Sequence, residues 1–125
     1  MRQAARGGAA GLLLAAALLG CHGSTVRAQT MNLTSTSFQG ERIPARFTCN
    51  GAGLSPQLAW SAPPVGTASL ALIVTDPDAP GGSFVHWVLY DLPAGTLALA
   101  EGLPQLPEGA RQGRNDFGDL GYGGP

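Results

Sequence analysis

A chain of 125 residues, 44% hydrophobic and only 12% charged, has room for one folded domain and no second. Its seven basic residues are all arginine, scattered against eight acids for a net charge of −1. With no basic run or patch, nucleic acid is excluded as a partner, and so is electrostatic attraction to an anionic membrane surface.

Residues 1–28 read as a targeting segment. Arg2 and Arg6 form a positive n-region, and Ala9 to Leu19 is an apolar stretch too short to span a bilayer as an ordinary helix. Two exits are legible. Val26-Arg27-Ala28 is a small-residue cleavage site that leaves Gln29 as the mature start, and Leu18-Leu19-Gly20-Cys21 has the form of a lipoprotein box that leaves a leader ending at Gly20 and a lipid anchor at Cys21. An uncleaved membrane anchor is the competing reading. Export to the periplasm or the exterior is expected by either exit, with membrane contact only through a lipid on Cys21. Removing residues 1–28 takes away three of the seven arginines, leaving four against eight acids, a net of about −4.

From Gln29 to Phe47 isolated apolar residues sit among Ser, Thr and Gly, which predicts an edge strand, a turn at Gln39-Gly40 and a second strand across Ile43 to Cys49. Asn50-Gly51 and Gly53 mark a turn, and Ser55-Pro56 bounds a short strand over Gln57 to Ser61 in which Trp60 is expected to pack in the core. Pro63-Pro64 and Gly66 then lead into the central stretch.

That stretch is two apolar runs joined by a proline- and glycine-rich connection. In Ser69 to Asp76, strand alternation places Leu70, Leu72, Val74 and Asp76 on one face. In Phe84 to Leu92 it places Phe84, His86, Val88 and Tyr90 on one face, with Val85, Trp87 and Leu89 opposite. Each run thus carries one polar residue on an apolar stripe, Asp76 and His86. Pro77 and Pro80 disfavour helical geometry at the residues before them, so Asp76 to Pro80 is expected to be extended, with Asp76 and Asp78 projecting together. The plain alternative is a rigid loop with solvated carboxylates and a core histidine.

After Pro93 the chain is irregular. Pro104, Pro107 and the glycines between Ala94 and Ala110 argue against a long helix or a central strand. Gly113 to Pro125 is rich enough in glycine to offer backbone N–H groups to an anion, or else simply to be flexible. No segment has sustained helical periodicity, and turn signals recur throughout, so the expected fold is an all-β antiparallel sandwich with little helix.

The motifs D-P-D-A-P (76–80) and H-W-V-L-Y-D-L-P (86–93) resemble the phosphatidylethanolamine-binding protein family, in its bacterial Raf-kinase-inhibitor-like branch. Phe47 to Trp60 (FTCNGAGLSPQLAW) and Gly113 to Pro125 (GRNDFGDLGYGGP) are similar to that family in the same order. The resemblance implies two antiparallel sheets with a few short helices, no cofactor, and a ligand pocket at the positions of Asp76, Asp78, Pro80, His86, Gly123, Gly124 and Pro125. It implies a non-enzymatic binding protein for a small phosphate-bearing or zwitterionic ligand. Chemically, a protonated His86 and glycine N–H groups suit phosphate oxygens, while Asp76 suits an ammonium or fixes backbone donors. Similar proteins continue past G-Y-G-G-P with a cysteine and an H-R-Y segment. On that basis residues 29–125 read as a partial, C-terminally truncated domain in which Cys49 lacks its partner. Two other functions remain open at this point. One is a metal-assisted hydrolase using Asp76, Asp78 and His86; the other is an inhibitor that acts by contact with a kinase or protease.

Overall fold

A computed structural model describes residues 29–125, so the proposed leader and Cys21 lie outside the described residues. The two apolar runs form the longest strands, β3 (Ser69–Asp76) and β4 (Phe84–Pro93), which pair antiparallel as a hairpin. The two-residue strand β6 (Arg111–Gln112) adds to the other side of β4, giving the order β3-β4-β6. A second antiparallel sheet is built from β1 (Leu33–Thr34), β2 (Leu58–Trp60) and β5 (Ala98–Leu99), in the order β1-β2-β5. The architecture is therefore all-β, two antiparallel sheets with a single 3-10 turn among the described residues. Leu58 and Leu99 of the smaller sheet meet Trp87, Leu89 and Leu92 of β4 in the core, where burial of apolar side chains drives the sheets together. Trp60 packs against that cluster from its edge.

Simple alternation along β4 fails twice, and both failures serve the core. Leu70 faces Leu92 while Leu72 faces Leu89, so one residue of β3 spans two of β4. A β-bulge of this kind bends the strand and returns side chains three apart to one face. Asp91 sits in this bulge with φ of 54°, a left-handed conformation that aspartate tolerates better than most residues. The second bulge matters more. Val74 faces Trp87, but Thr75 faces Val85 and Asp76 faces Phe84, leaving His86 without a partner on β3. Because Val74 and Asp76 share a face, Phe84 and Trp87 must share it too. His86, two residues from Phe84, follows onto that face and is buried beside Trp87.

Three local expectations are corrected. Ile43 to Cys49 is not a strand: Pro44 is extended, and Ala45–Phe47 makes a 3-10 turn that buries Phe47. Hydroxyls replace ladder bonds nearby, with Ser37 Oγ accepting the Gln57 N–H at 2.8 Å and Ser35 Oγ donating to the Gln57 carbonyl. Asp76 to Pro80 is not extended either. Pro77 and Asp78 turn at once, and Gly81 and Gly82 complete the reversal with φ of 98° and 110°. Finally, the glycine-rich segment Gly113 to Pro125 is ordered along β4 and does not trail away.

Candidate functional site

That last segment is stitched to β4 by side chains on its first turn. Asp116 accepts the Val85 N–H at 2.7 Å through Oδ2, while its own N–H donates to the Val85 carbonyl at 2.9 Å. Asn115 is buried and holds the loop from inside. Its Oδ1 accepts the N–H groups of Phe117 and Asp119, each at 3.0 Å, and its Nδ2 donates to the Gly121 carbonyl at 3.1 Å. A chain held this way brings Gly123 against His86 with little freedom.

The histidine is clamped from both sides. Gly123 donates its N–H to the His86 carbonyl at 2.9 Å, and its own carbonyl lies 2.7 Å from His86 Nδ1. A carbonyl can only accept, so Nδ1 carries the proton, and Nε2 is the atom left to bind a ligand. The ring is held by Phe84 at 5.0 Å and Phe117 at 5.7 Å between centroids. Nε2 makes no hydrogen bond to the described residues.

Asp76, at the end of β3, accepts the Asp78 N–H at 2.9 Å through Oδ1. This turn fixes the carboxylate and leaves Oδ2 open. Asp76 and His86 line one cavity of about 490 Å³, together with Pro77, Tyr122 and Pro125 and an apolar wall that includes Leu72. The cavity can therefore offer a carboxylate oxygen of Asp76, the His86 imidazole and hydrocarbon over most of its wall.

Other residues singled out from sequence fall elsewhere. Asp78 and Pro80 are exposed and do not line the cavity. Gly123 acts through its backbone, and its N–H is already engaged by His86, so it is not open to an anion. Gly124 is buried for a different reason: a Cβ there would stand 2.5 Å from the Phe47 carbonyl oxygen and 2.7 Å from the Thr48 carbonyl carbon. Of the terminal trio only Pro125 lines the cavity. With Asp78 turned outward, the set Asp76, Asp78 and His86 is not gathered. Among the described residues no three His, Cys, Asp or Glu side chains lie close enough to hold a metal ion. Cys49 is an exposed free thiol, and its N–H donates to the Pro125 carbonyl at 2.9 Å.

Tyr122 was not legible as a cavity residue; the only signal was an aromatic in a glycine run that also holds Phe117. Its hydroxyl donates to the Phe47 carbonyl at 2.7 Å, and its ring meets Trp87 edge-on at 5.8 Å. Burial pushes its pKa above the ordinary 10.0. The folded state therefore holds this proton more tightly than the unfolded chain. Its stabilising effect is complete below pH 10 and is lost as pH rises from there through the folded-state value. Urea midpoints measured across this alkaline window should fall more steeply for the wild type than for Tyr122→Phe. Parallel curves would show that Tyr122 is not the group responsible.

Comparison with known proteins gives a consistent picture. The family model described as phosphatidylethanolamine-binding protein matches residues 34–125. A UPF0098 protein of Aquifex aeolicus is 52% identical over 98 residues, which cover 76% of this chain and 57% of that protein. The chain thus spans little more than half the length of this relative. A protein of Mycobacterium tuberculosis named as a candidate lipoprotein, LppC, is 39% identical, with 93% of this chain and 68% of its own length aligned. Among solved structures, Escherichia coli YbcL, described as a member of the mammalian PEBP family, superposes with a TM-score of 0.70 at 39% identity, covering 76% of this chain and 65% of that one.

Proposed function

The chain belongs to the phosphatidylethanolamine-binding protein family, and from that premise we propose that it is a non-enzymatic binding protein for a small phosphate-bearing or zwitterionic ligand. One observation carries this reading: a carboxylate, Asp76, and an imidazole held by its Nδ1, His86, border the same cavity. In its cationic form His86 donates from Nε2 to a phosphate oxygen, and a hydrogen bond to a charged group is stronger than a neutral one. Asp76 repels a bare phosphate but attracts an ammonium, so the pair favours a ligand carrying both charges. The resemblance of residues 1–28 to an export leader, and the naming of one relative as a candidate lipoprotein, support placing this activity outside the cytoplasm.

Calorimetric titration with O-phosphoethanolamine tests the reading. His86→Ala is expected to weaken binding by about 1.5–3 kcal/mol, roughly a ten- to hundredfold rise in Kd. Asp76→Asn should weaken O-phosphoethanolamine while improving inorganic phosphate. Unchanged affinity in both variants, with native circular dichroism, removes the cavity from consideration.

A further inference from the structure

Phe117 is half exposed on the turn that follows Asn115, and a single surface phenylalanine needs no explanation of its own. What sets this ring apart is the company it keeps. It meets Phe84 edge-on at 4.7 Å and His86 edge-on at 5.7 Å, while Phe84 and His86 stand 5.0 Å apart. The three rings form one cluster, in the inclined arrangements that aromatic pairs prefer. Phe117 also covers Gly123. A Cβ at that glycine would stand 2.6 and 2.8 Å from Cδ2 and Cε2 of the Phe117 ring, although its backbone is outside the left-handed region. Space, and not conformation, therefore requires a glycine there. Phe117 thus packs on both partners of one hydrogen bond, that between His86 Nδ1 and the Gly123 carbonyl, and it does so from the solvent side, since His86 is buried and Phe117 is not.

We propose that Phe117 is a positioning residue for His86: it shields the bond from Nδ1 to the Gly123 carbonyl and so holds the imidazole in the orientation that leaves Nε2 free for the ligand. A hydrogen bond kept from water is electrostatically stronger, whereas an open one exchanges with water at little net cost. Without the ring, water competes for both Nδ1 and the carbonyl, and the imidazole can turn and carry its proton on either nitrogen. Asn115 sets the ring in place, because its Oδ1 accepts the Phe117 N–H at 3.0 Å. The effect of Phe117 on affinity rests on the ligand reading given above, while its effect on the imidazole stands without it.

The test is nitrogen NMR of the neutral imidazole on the full chain, in a His22→Gln background that leaves His86 as its one histidine. With Phe117 in place the proton is expected on Nδ1. Phe117→Ala should give a mixture of both tautomers, and its Kd for O-phosphoethanolamine should rise roughly two- to tenfold, the worth of about one net hydrogen bond. Phe117→Leu keeps bulk over the bond and should stay close to the parent in both readings. Gly123→Ala should reproduce Phe117→Ala by displacing the ring, and should add little to it in the double variant, where the clash is gone. A tautomer unchanged in a folded Phe117→Ala overturns the proposal, even if stability falls, because the ring then only packs. So does full additivity of the Gly123 and Phe117 substitutions. A tautomer that shifts in a protein whose parent does not bind O-phosphoethanolamine supports the positioning role and removes the ligand reading instead.

Discussion

Replacing Trp87 with alanine is expected to lower the unfolding free energy by about 3–5 kcal/mol, the usual cost of deleting a large aromatic from a packed core. Trp87 is 1% exposed and stands at the centre of the cluster formed by Leu58, Leu89, Leu92 and Leu99. Its indole also donates from Nε1 to Gln112 Oε1 at 2.9 Å, tying β4 to β6. Against a total stability on the order of 5–15 kcal/mol, such a loss leaves little margin. Urea unfolding followed by far-ultraviolet circular dichroism is the measurement, since the substitution removes a fluorophore. Trp87→Phe should recover much of the packing but not the bond to Gln112. A midpoint shift equivalent to less than about 1 kcal/mol for Trp87→Ala would mean the core does not centre on this residue.

The second large effect is expected at Asn115, which touches neither the core cluster nor the cavity. Asn115→Ala removes three hydrogen bonds at a buried position, and the groups left behind lose their partners. The expected cost is about 2–4 kcal/mol, on the scale of buried donors and acceptors left unsatisfied. Because this turn delivers Gly123 to His86, the variant should also bind O-phosphoethanolamine less well, although His86 itself is intact. Asn115→Asp keeps the two acceptor bonds and should lie between wild type and alanine in both measurements. If Asn115→Ala is destabilised yet binds normally once folded, the terminal segment does not position the histidine.

Both long strands were legible because their apolar runs are bounded by Ser69, Asp76, Phe84 and Pro93, and the hairpin turn because Gly81 and Gly82 have few alternatives. Asp76 and His86 stood out as polar residues on apolar stripes, and the structure brings both to one cavity. How they come together was hidden, since a period of two carries no mark of a bulge. The extra residue at His86 exists only in relation to β3. The extended reading of Asp76 to Pro80 failed for a local reason: the Asp76 carboxylate captures the Asp78 N–H and closes a turn that proline stiffness permits. The strand expected at Ile43 to Cys49 failed for a distant one. Phe47 is drawn into contact with Tyr122 and Phe38, and neither contact is visible in the pattern of residues 43–49.

The bond from Tyr122 to the Phe47 carbonyl joins residues 75 positions apart, and the one from Ser37 to Glu101 joins residues 64 apart. Ties of that span govern the order in which the molecule can assemble. The β3-β4 hairpin closes a short loop and can form within microseconds, but the tie between Phe47 and Tyr122 can form only after the last residues of the segment have arrived. Topologies dominated by such distant pairings fold in milliseconds to seconds. During synthesis, the hairpin would wait with its apolar face uncovered, and that interval is when a chaperone would find the chain.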